Sequence, residues 1–200
     1  MTKRVFVQGD RDPGVDLSAC ALKTAQLLKQ SGWEANVGAY GGLVRIFEES
    51  GMRCHAHVMA PRGREVQFSD CIVSVTDCNQ LVRSLPANIR WGGEADQILT
   101  WGLRLSVWMA HSDAFIFFAG REGTMAHLVP ILAWNRKVLA KEGRAKKVVL
   151  IGWDKLQRDA LYTLGLITIP EGDWASDDAE WFRTYSMYNV EGAVNFLTEE

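Results

Sequence analysis

The sequence predicts a three-layer α/β domain in which helices cover both faces of a mainly parallel sheet. Short apolar runs of strand length alternate along the chain with segments whose apolar residues recur at helical spacing. Residues 114–118 are apolar without interruption, so this strand has no wet face and is predicted to lie in the centre of a parallel sheet. Glycines follow several of these runs and supply tight turns between strand and helix.

Length and composition bound the domain organisation and the functions to consider. The 200 residues, 48% of them apolar, contain no repeat and no linker, which predicts a single domain spanning 1–200. The net charge of −2 gives no support for a nucleic-acid or anionic membrane surface. The four cysteines show no Cys-x-x-Cys spacing, so we expect reduced thiols and a cytoplasmic protein. No apolar run is long enough for a membrane span, and the first strand begins too early for a signal peptide.

The first unit is predicted to be a strand at residues 4–8, a turn over 9–14 and a helix. Asp16 or Ser18 is the expected start of this helix, and Gly32 is a candidate for its C-terminal cap. The glycine that follows the first strand therefore stands at the point where the chain enters a βα turn.

The second unit repeats this order, with a strand at 34–38, a turn containing Gly41 and Gly42, a helix to about Ser50 and a strand at 54–59. The two glycines are candidate ligand contacts. The alternative is that they serve only the close packing of helix on strand.

Residues 62–95 give the weakest signals, with a strand at 71–75 and a loop at 86–94 as the predicted elements. His55 and His57 are two residues apart, so they would share one face of a strand. Zinc needs further ligands at a recognisable spacing, and none are nearby, so we predict a hydrogen-bonded or solvated pair and no metal site.

A helix is predicted over residues 96–111. It carries Trp101, Trp108 and Met109 besides its core stripe, more apolar surface than one face can bury. We therefore expect a homodimer or a higher even oligomer.

The central strand leads into the loop Gly-Arg-Glu-Gly-Thr at 120–124, where Thr124 is the predicted N-cap of the next helix. A helix N-terminus after a glycine turn is suited to anions, because its unpaired N–H groups point outward. An ordinary βα turn that binds nothing is the alternative. Beyond it we predict a strand at 146–151, a helix at 154–164 and one or two short terminal helices over 174–200.

This loop, preceded by Ser-Asp-Ala-Phe-Ile, resembles the Pro-Gly-Gly-x-Gly-Thr-x-x-Glu loop of the LOG ("Lonely Guy") family. These proteins are Rossmann-like phosphoribohydrolases of the wider SLOG nucleotide-binding group, often labelled putative lysine decarboxylases. The resemblance implies a Rossmann-like fold and a phosphate site formed by Gly9, Gly41, Gly42, Gly120, Arg121, Gly123 and Thr124. The sequence departs from the family pattern in four places: Asp10 replaces a serine, Arg121 replaces the middle glycine, Leu105 replaces a lysine, and His127 replaces the motif glutamate.

In the family, an arginine on the preceding helix and the motif glutamate cleave the N-glycosidic bond of a nucleoside 5'-monophosphate. Arg104 and His127 stand at these positions and are the candidate catalytic residues. A neutral imidazole can act as a base near neutral pH, but it cannot supply the fixed negative charge that stabilises an oxocarbenium-like ribose. The departures therefore favour binding over hydrolysis.

Three functions remain open from the sequence. The first is a sensor or carrier that requires no cofactor for activity and binds a nucleoside monophosphate or a pterin phosphate. Molybdenum-cofactor carriers, which resemble LOG proteins, belong to this class. The second is a phosphoribohydrolase that uses His127, and the third is a partner-binding module with an empty loop.

Overall fold

The fold is built on a seven-stranded sheet in which every strand pairing is parallel. The computed structural model describes residues 2–38, 42–58, 70–86, 93–167 and 180–199. The strands are β1 Arg4–Gln8, β2 Glu34–Gly38, β3 Cys54–Val58, β4 Ile72–Asp77, β5 Ala114–Phe118, β6 Lys147–Ile151 and β7 Phe182–Tyr185. The helices are α1 Val15–Gln30, α2 Leu43–Glu49, α3 Cys78–Arg83, α4 Gly93–His111, α5 Glu122–Trp134, α6 Lys155–Thr163 and α7 Val190–Thr198. The predicted α/β fold is confirmed.

The strand order, β4-β3-β2-β1-β5-β6-β7, reverses its direction between β1 and β5. The chain builds outward from β1 through β2 and β3 to β4, and then returns to place β5 on the other side of β1. In register, Val5 pairs with Ala114 and Gln8 with Phe117, so the two strands end together. Ligands of open α/β sheets bind in the crevice beyond the carboxyl ends of the strands at such a reversal.

Each face of the sheet carries its own apolar core. The face under α1, α2 and α7 buries Val5, Val7, Ala35, Ile116 and Phe118. The opposite face, under α4, α5 and α6, buries a second cluster centred on Phe6, Trp108, Phe115 and Phe117. The alternation of side chains along a strand sends successive residues to opposite faces, and this places one core on each side of the sheet.

The terminal segment differs from the prediction. We predicted only helices over 174–200, but residues 182–185 form β7 at one edge of the sheet, and one helix, α7, follows at 190–198. The strand was missed because its four residues are mostly half-exposed and carry no apolar alternation. The short helix α3 was also missed, and α4 begins at Gly93 rather than at residue 96.

The apolar surface of α4 is smaller than the sequence indicated. Trp108 is fully buried in the core, whereas Trp101 remains 37% exposed. Met109 packs partly buried against the same core. Much of the surface that we assigned to a subunit interface is therefore internal, and the homodimer remains a prediction. Within the described ranges, none of the helices has the length and hydropathy of a membrane span.

Candidate functional site: a glycine-lined crevice between β1 and β5

The loop after β1 packs tightly against its neighbours at Gly9. A Cβ atom at this position would meet the Leu43 side chain at the start of α2 and would lie 2.9 Å from Cβ of Phe118, the last residue of β5. Only glycine allows the three elements to approach so closely. The predicted convergence of the first glycine loop with the end of the central strand is therefore present in the structure.

Gly42 and Gly120 complete this junction. Gly42 has a φ of 61°, and a Cβ there would stand 2.6 Å from the carbonyl oxygen of Asp10. A Cβ on Gly120 would lie 3.2 Å from the Asp10 amide and 2.8 Å from the Cβ of Thr124. Three loops from different parts of the chain thus meet around residues 9–11. Gly41, another of the predicted glycines, lies outside the described residues.

The N-terminus of α5 opens at this junction, but its cap is not the predicted one. Arg121, with extended φ and ψ of −96° and −160°, is the N-cap, and its side chain makes no capping hydrogen bond with the described residues. Thr124 is a first-turn residue and is 2% exposed. Its amide donates to the carbonyl of Arg121 at 2.9 Å. The amides of Glu122 and Gly123 come before the Thr124 amide in the first turn of α5. A Cβ added to Gly123 would meet no atom of the described residues within 4 Å.

The charges at the crevice are partly paired. Nε of Arg121 lies 3.5 Å from a carboxylate oxygen of Asp10. The Arg121 side chain is 80% exposed and that of Asp10 22% exposed. An ion pair with one partner so open to water stabilises a protein by only about 0–1 kcal/mol. An incoming phosphate therefore competes with Asp10 for this guanidinium at little cost.

Two side chains that the sequence reasoning did not single out hold the loop after β5 in place. Nε2 of Gln157 donates to the carbonyl of Gly120 at 3.1 Å, and Nε1 of Trp153 donates to the carbonyl of Phe117 at 2.8 Å. Gln157 belongs to a capping box with Asp154 at the start of α6. The Asp-x-x-Gln spacing is a readable signal for that cap, although not for the contact with Gly120.

The two candidate catalytic residues lie near each other behind the loop. The Arg104 guanidinium packs over the Trp108 ring, with Cζ 4.2 Å from the ring centroid. It also lies so close to Gly38 that a Cβ added there would clash with it. His127 is 6% exposed and stacks against Trp101 at a centroid distance of 4.6 Å. Burial lowers the pKa of His127 to about 4, and the charge of Arg104 acts in the same direction. The Gly123 backbone opposes this shift, but Nδ1 makes no hydrogen bond of normal geometry within the described part of the chain.

A row of hydrogen-bonded polar side chains links β2, β3 and β4 near the amino ends of these strands. Nε2 of His55 lies 2.7 Å from Glu34, and its Nδ1 lies 2.6 Å from the Ser74 hydroxyl. Burial alone would raise the pKa of Glu34, but the His55 hydrogen bond and the charges of His55, Arg53 and Arg4 outweigh it, and the pKa is lowered. The predicted hydrogen-bonded state of His55 and His57 is confirmed.

A metal cluster and a surface pocket are two other kinds of candidate site. Among the described residues no cluster of His, Cys, Asp and Glu is suited to a metal ion. An open pocket of about 620 Å³ lies at the amino end of β1, lined by Thr2, Lys3, Ser31, Gly32, Trp33 and Thr198. It lies at the end of the sheet opposite to the crevice. We assign it no function, since its lining offers only one charged side chain and three hydroxyls beside a tryptophan.

The fold and the crevice define a Rossmann-like α/β domain with its candidate ligand face at the strand-order reversal. No protein-family model and no curated protein matches the sequence. Solved structures share the fold. A molybdenum-cofactor carrier protein from Chlamydomonas reinhardtii is similar with a TM-score of 0.57 and 17% identity, over 98% of both chains.

Two further structures extend the comparison. TM1055 gives a TM-score of 0.56 at 13% identity over 100% of each chain. DNA processing protein A from Helicobacter pylori, described with a single-stranded DNA binding mode, gives 0.53 at 13% identity over 98% of this chain and 80% of that one. At these identities the likeness concerns the fold alone.

Proposed function

We propose that this chain binds a small phosphate-bearing ligand of the nucleotide or pterin type, as a sensor or carrier of the LOG/SLOG kind. The observation that carries the proposal is the meeting of Gly9, Gly42 and Gly120 with the N-terminus of α5 at the strand-order reversal. The exposed amides of the first turn favour an anion, and the helix dipole adds about 0.3–1 kcal/mol. Arg121 lies at the same mouth and supplies a cation.

The structural likeness to a molybdenum-cofactor carrier is consistent with a carrier. The surroundings of His127 point the same way, because its ring is enclosed by Trp101, Trp108 and Phe6. This burial lowers the pKa of His127 to about 4, so its imidazole is a weak base and supplies no negative charge to an oxocarbenium-like ribose. We therefore expect little or no release of base from nucleoside 5'-monophosphates.

The test begins with native mass spectrometry of the purified protein, which identifies any ligand retained from the cell. Calorimetric titration with AMP and with a pterin phosphate then compares the wild type with the Arg121→Ala, Thr124→Ala double variant. Loss of a charge-assisted contact should weaken binding severalfold to about a hundredfold.

Arg144→Ala removes an exposed arginine from the segment between α5 and β6 and serves as the control. Equal affinities for the double variant and the wild type would remove the phosphate assignment. Rapid base release that is lost in His127→Glu would instead establish the enzyme.

A further inference from the structure

The Trp108 ring contacts those of His57 and His127 between α4, α5 and the sheet, and each of the three rings has a buried nitrogen. These nitrogens are Nδ1 of His57, Nε1 of Trp108 and Nδ1 of His127, and none makes a hydrogen bond of normal geometry within the described ranges, although the Gly123 backbone acts on His127. The three side chains are 4%, 0% and 6% exposed. The Trp108 centroid is 6.4 Å from that of His57 and 5.0 Å from that of His127. An unpaired buried polar group is costly, so three in contact require an explanation.

The hydrogen-bonding character of two of these nitrogens follows from their neighbours. The amide nitrogen of Asn36 donates to the His111 carbonyl at 2.9 Å and to the Ser112 hydroxyl at 2.8 Å. Its oxygen therefore faces Nε2 of His57, 3.3 Å away, and Nε2 carries the proton. Nδ1 of His57 is consequently an acceptor, whereas Nε1 of Trp108 can only donate. The cluster therefore offers an acceptor on His57 and a donor on Trp108, on rings whose centroids are 6.4 Å apart.

The charge of the cluster narrows the class of ligand. Burial lowers the pKa of both His57 and His127 to about 4, so both rings are neutral near pH 7. The Arg104 guanidinium stands over Trp108 and disfavours a cationic ligand. Flat aromatic and imidazole rings on several sides suit a planar partner. These features together select a neutral, planar heterocycle.

The cluster adjoins the phosphate crevice. His57 is paired with Gly38 at the carboxyl ends of β3 and β2, one strand beyond the loop that follows β1. His127 lies three residues after Thr124 in α5. A ligand anchored by its phosphate between β1 and β5 would therefore extend its ring toward these nitrogens.

We propose that His57, Trp108 and His127, here called the ring cluster, recognise the heterocycle of the ligand. The ligand is an amino-substituted ring that presents a hydrogen-bond donor beside an acceptor, as adenine and pterin both do. Trp101 stacks on His127 with an interplanar angle of 23° and covers the cluster on that side, so it must move when the heterocycle binds. The inference deepens the proposed function and depends on it for the phosphate end of the ligand.

The experiment compares ligands with and without a ring. The probes for calorimetry are AMP, 6-hydroxymethylpterin monophosphate, ribose 5-phosphate, free adenine and free pterin. The variants are His57→Phe and His127→Phe, which keep an aromatic side chain while removing the nitrogens. We expect one or both of the ring-bearing phosphates to bind at least about tenfold more tightly than ribose 5-phosphate, which corresponds to one hydrogen bond.

In His57→Phe and His127→Phe, the affinity for the preferred ring-bearing phosphate should fall by about tenfold, while the affinity for ribose 5-phosphate stays constant. A purely structural role would weaken all phosphates alike and would overturn the proposal. Whether AMP or the pterin phosphate shows the advantage decides between the two rings. Trp101→Ala should strengthen the binding of the preferred ring-bearing phosphate, and weaker binding would overturn the assigned position of the ring.

The failure of the phosphate site is distinguishable from the failure of the ring cluster. If ribose 5-phosphate binds as tightly as the ring-bearing phosphates, the ring cluster is wrong and the phosphate site stands. The ring cluster stands if free adenine or free pterin binds, if His127→Phe weakens this binding, and if the Arg121→Ala, Thr124→Ala double variant leaves it unchanged. If this double variant also binds the phosphates as tightly as the wild type, the phosphate site is removed. If no probe binds, both are overturned.

Discussion

Gly42 adopts a backbone conformation that other residues avoid, with φ 61° and ψ −132°. Replacement by alanine would cost roughly 1–3 kcal/mol in backbone strain. The added Cβ would also press on the backbone of Asp10 and Arg11, which cannot rotate away as a side chain can. We expect Gly42→Ala to lower the free energy of unfolding by at least about 2 kcal/mol, measured by urea denaturation.

Gly14 is the matched control for this substitution. It is the N-cap of α1, with an ordinary φ of −62°, and a Cβ there meets nothing within 4 Å. Gly14→Ala should therefore change stability much less. Equal effects of the two substitutions would show that the packing of Gly42 on the first loop is not what makes glycine necessary.

At the residue scale the sequence located the glycines well and the cap poorly. Gly9 and Gly120 follow predicted strands, and parallel strands end at one edge, so their meeting could be expected. Thr124 was chosen as the cap because threonine is preferred at that position, whereas arginine is not. The extended backbone of Arg121 takes the position without help from a side chain. Its ion pair with Asp10 joins residues far apart in sequence, which no local pattern reveals.

At the scale of elements, α6 supports the candidate phosphate loop through Gln157. Its side-chain oxygen accepts from the Asp154 amide at 3.2 Å, and its nitrogen donates to the Gly120 carbonyl at 3.1 Å. Gln157→Glu keeps an acceptor for the cap but removes the donor and adds a negative charge near the crevice. We expect it to weaken phosphate binding by about tenfold, while stability falls by no more than about 1 kcal/mol.

Calorimetric titration and urea denaturation of the same variant measure these two effects. Lys155→Ala, two residues before Gln157 and exposed, is the control for a change of charge on this helix. Unaltered phosphate affinity in Gln157→Glu would mean that the loop holds its shape without α6.

The elements themselves were predictable where their pattern was long or fully apolar. The strand 114–118 was predicted at its observed bounds because five apolar residues in a row are consistent with burial on both faces. β7 offered no such signal, since an edge strand buries less and its residues Phe-Arg-Thr-Tyr are mixed. Its position is determined by pairing with β6, a contact that depends on the folded sheet.

For the whole molecule, the polarity of one sheet face is a property that sequence reasoning did not reach. Phe6, Phe115 and Phe117 make this face apolar at the centre of the sheet, whereas Asn36 and His57 make it polar on the neighbouring strands β2 and β3. A polar residue in a strand is normally predicted to face water. These two are buried because α4 covers them, and the position of α4 follows only from the assembled fold.

The neutral buried histidines predict how the stability of the whole molecule depends on pH. Each of His57 and His127 has its pKa lowered from 6.5 to about 4, chiefly by burial. Between pH 6.5 and 4 these histidines bind more protons in the unfolded chain than in the folded one. Their contribution to the free energy of unfolding is therefore fully present above about pH 6.5 and falls as the pH drops toward 4. The slope is at most about 1.4 kcal/mol per pH unit for each histidine. The lowered pKa of Glu34 adds its own loss only below its usual value of 4.5.

Urea unfolding between pH 7.5 and 5 measures this slope with Glu34 still ionised. His127→Phe removes one of the two groups and should reduce the slope by about half, because the remaining loss then comes from His57. A wild-type stability that is flat from pH 7.5 to 5 would mean that the rings of the cluster take up protons in the folded state. That result would also remove the neutral acceptor at His57 on which recognition of the heterocycle depends.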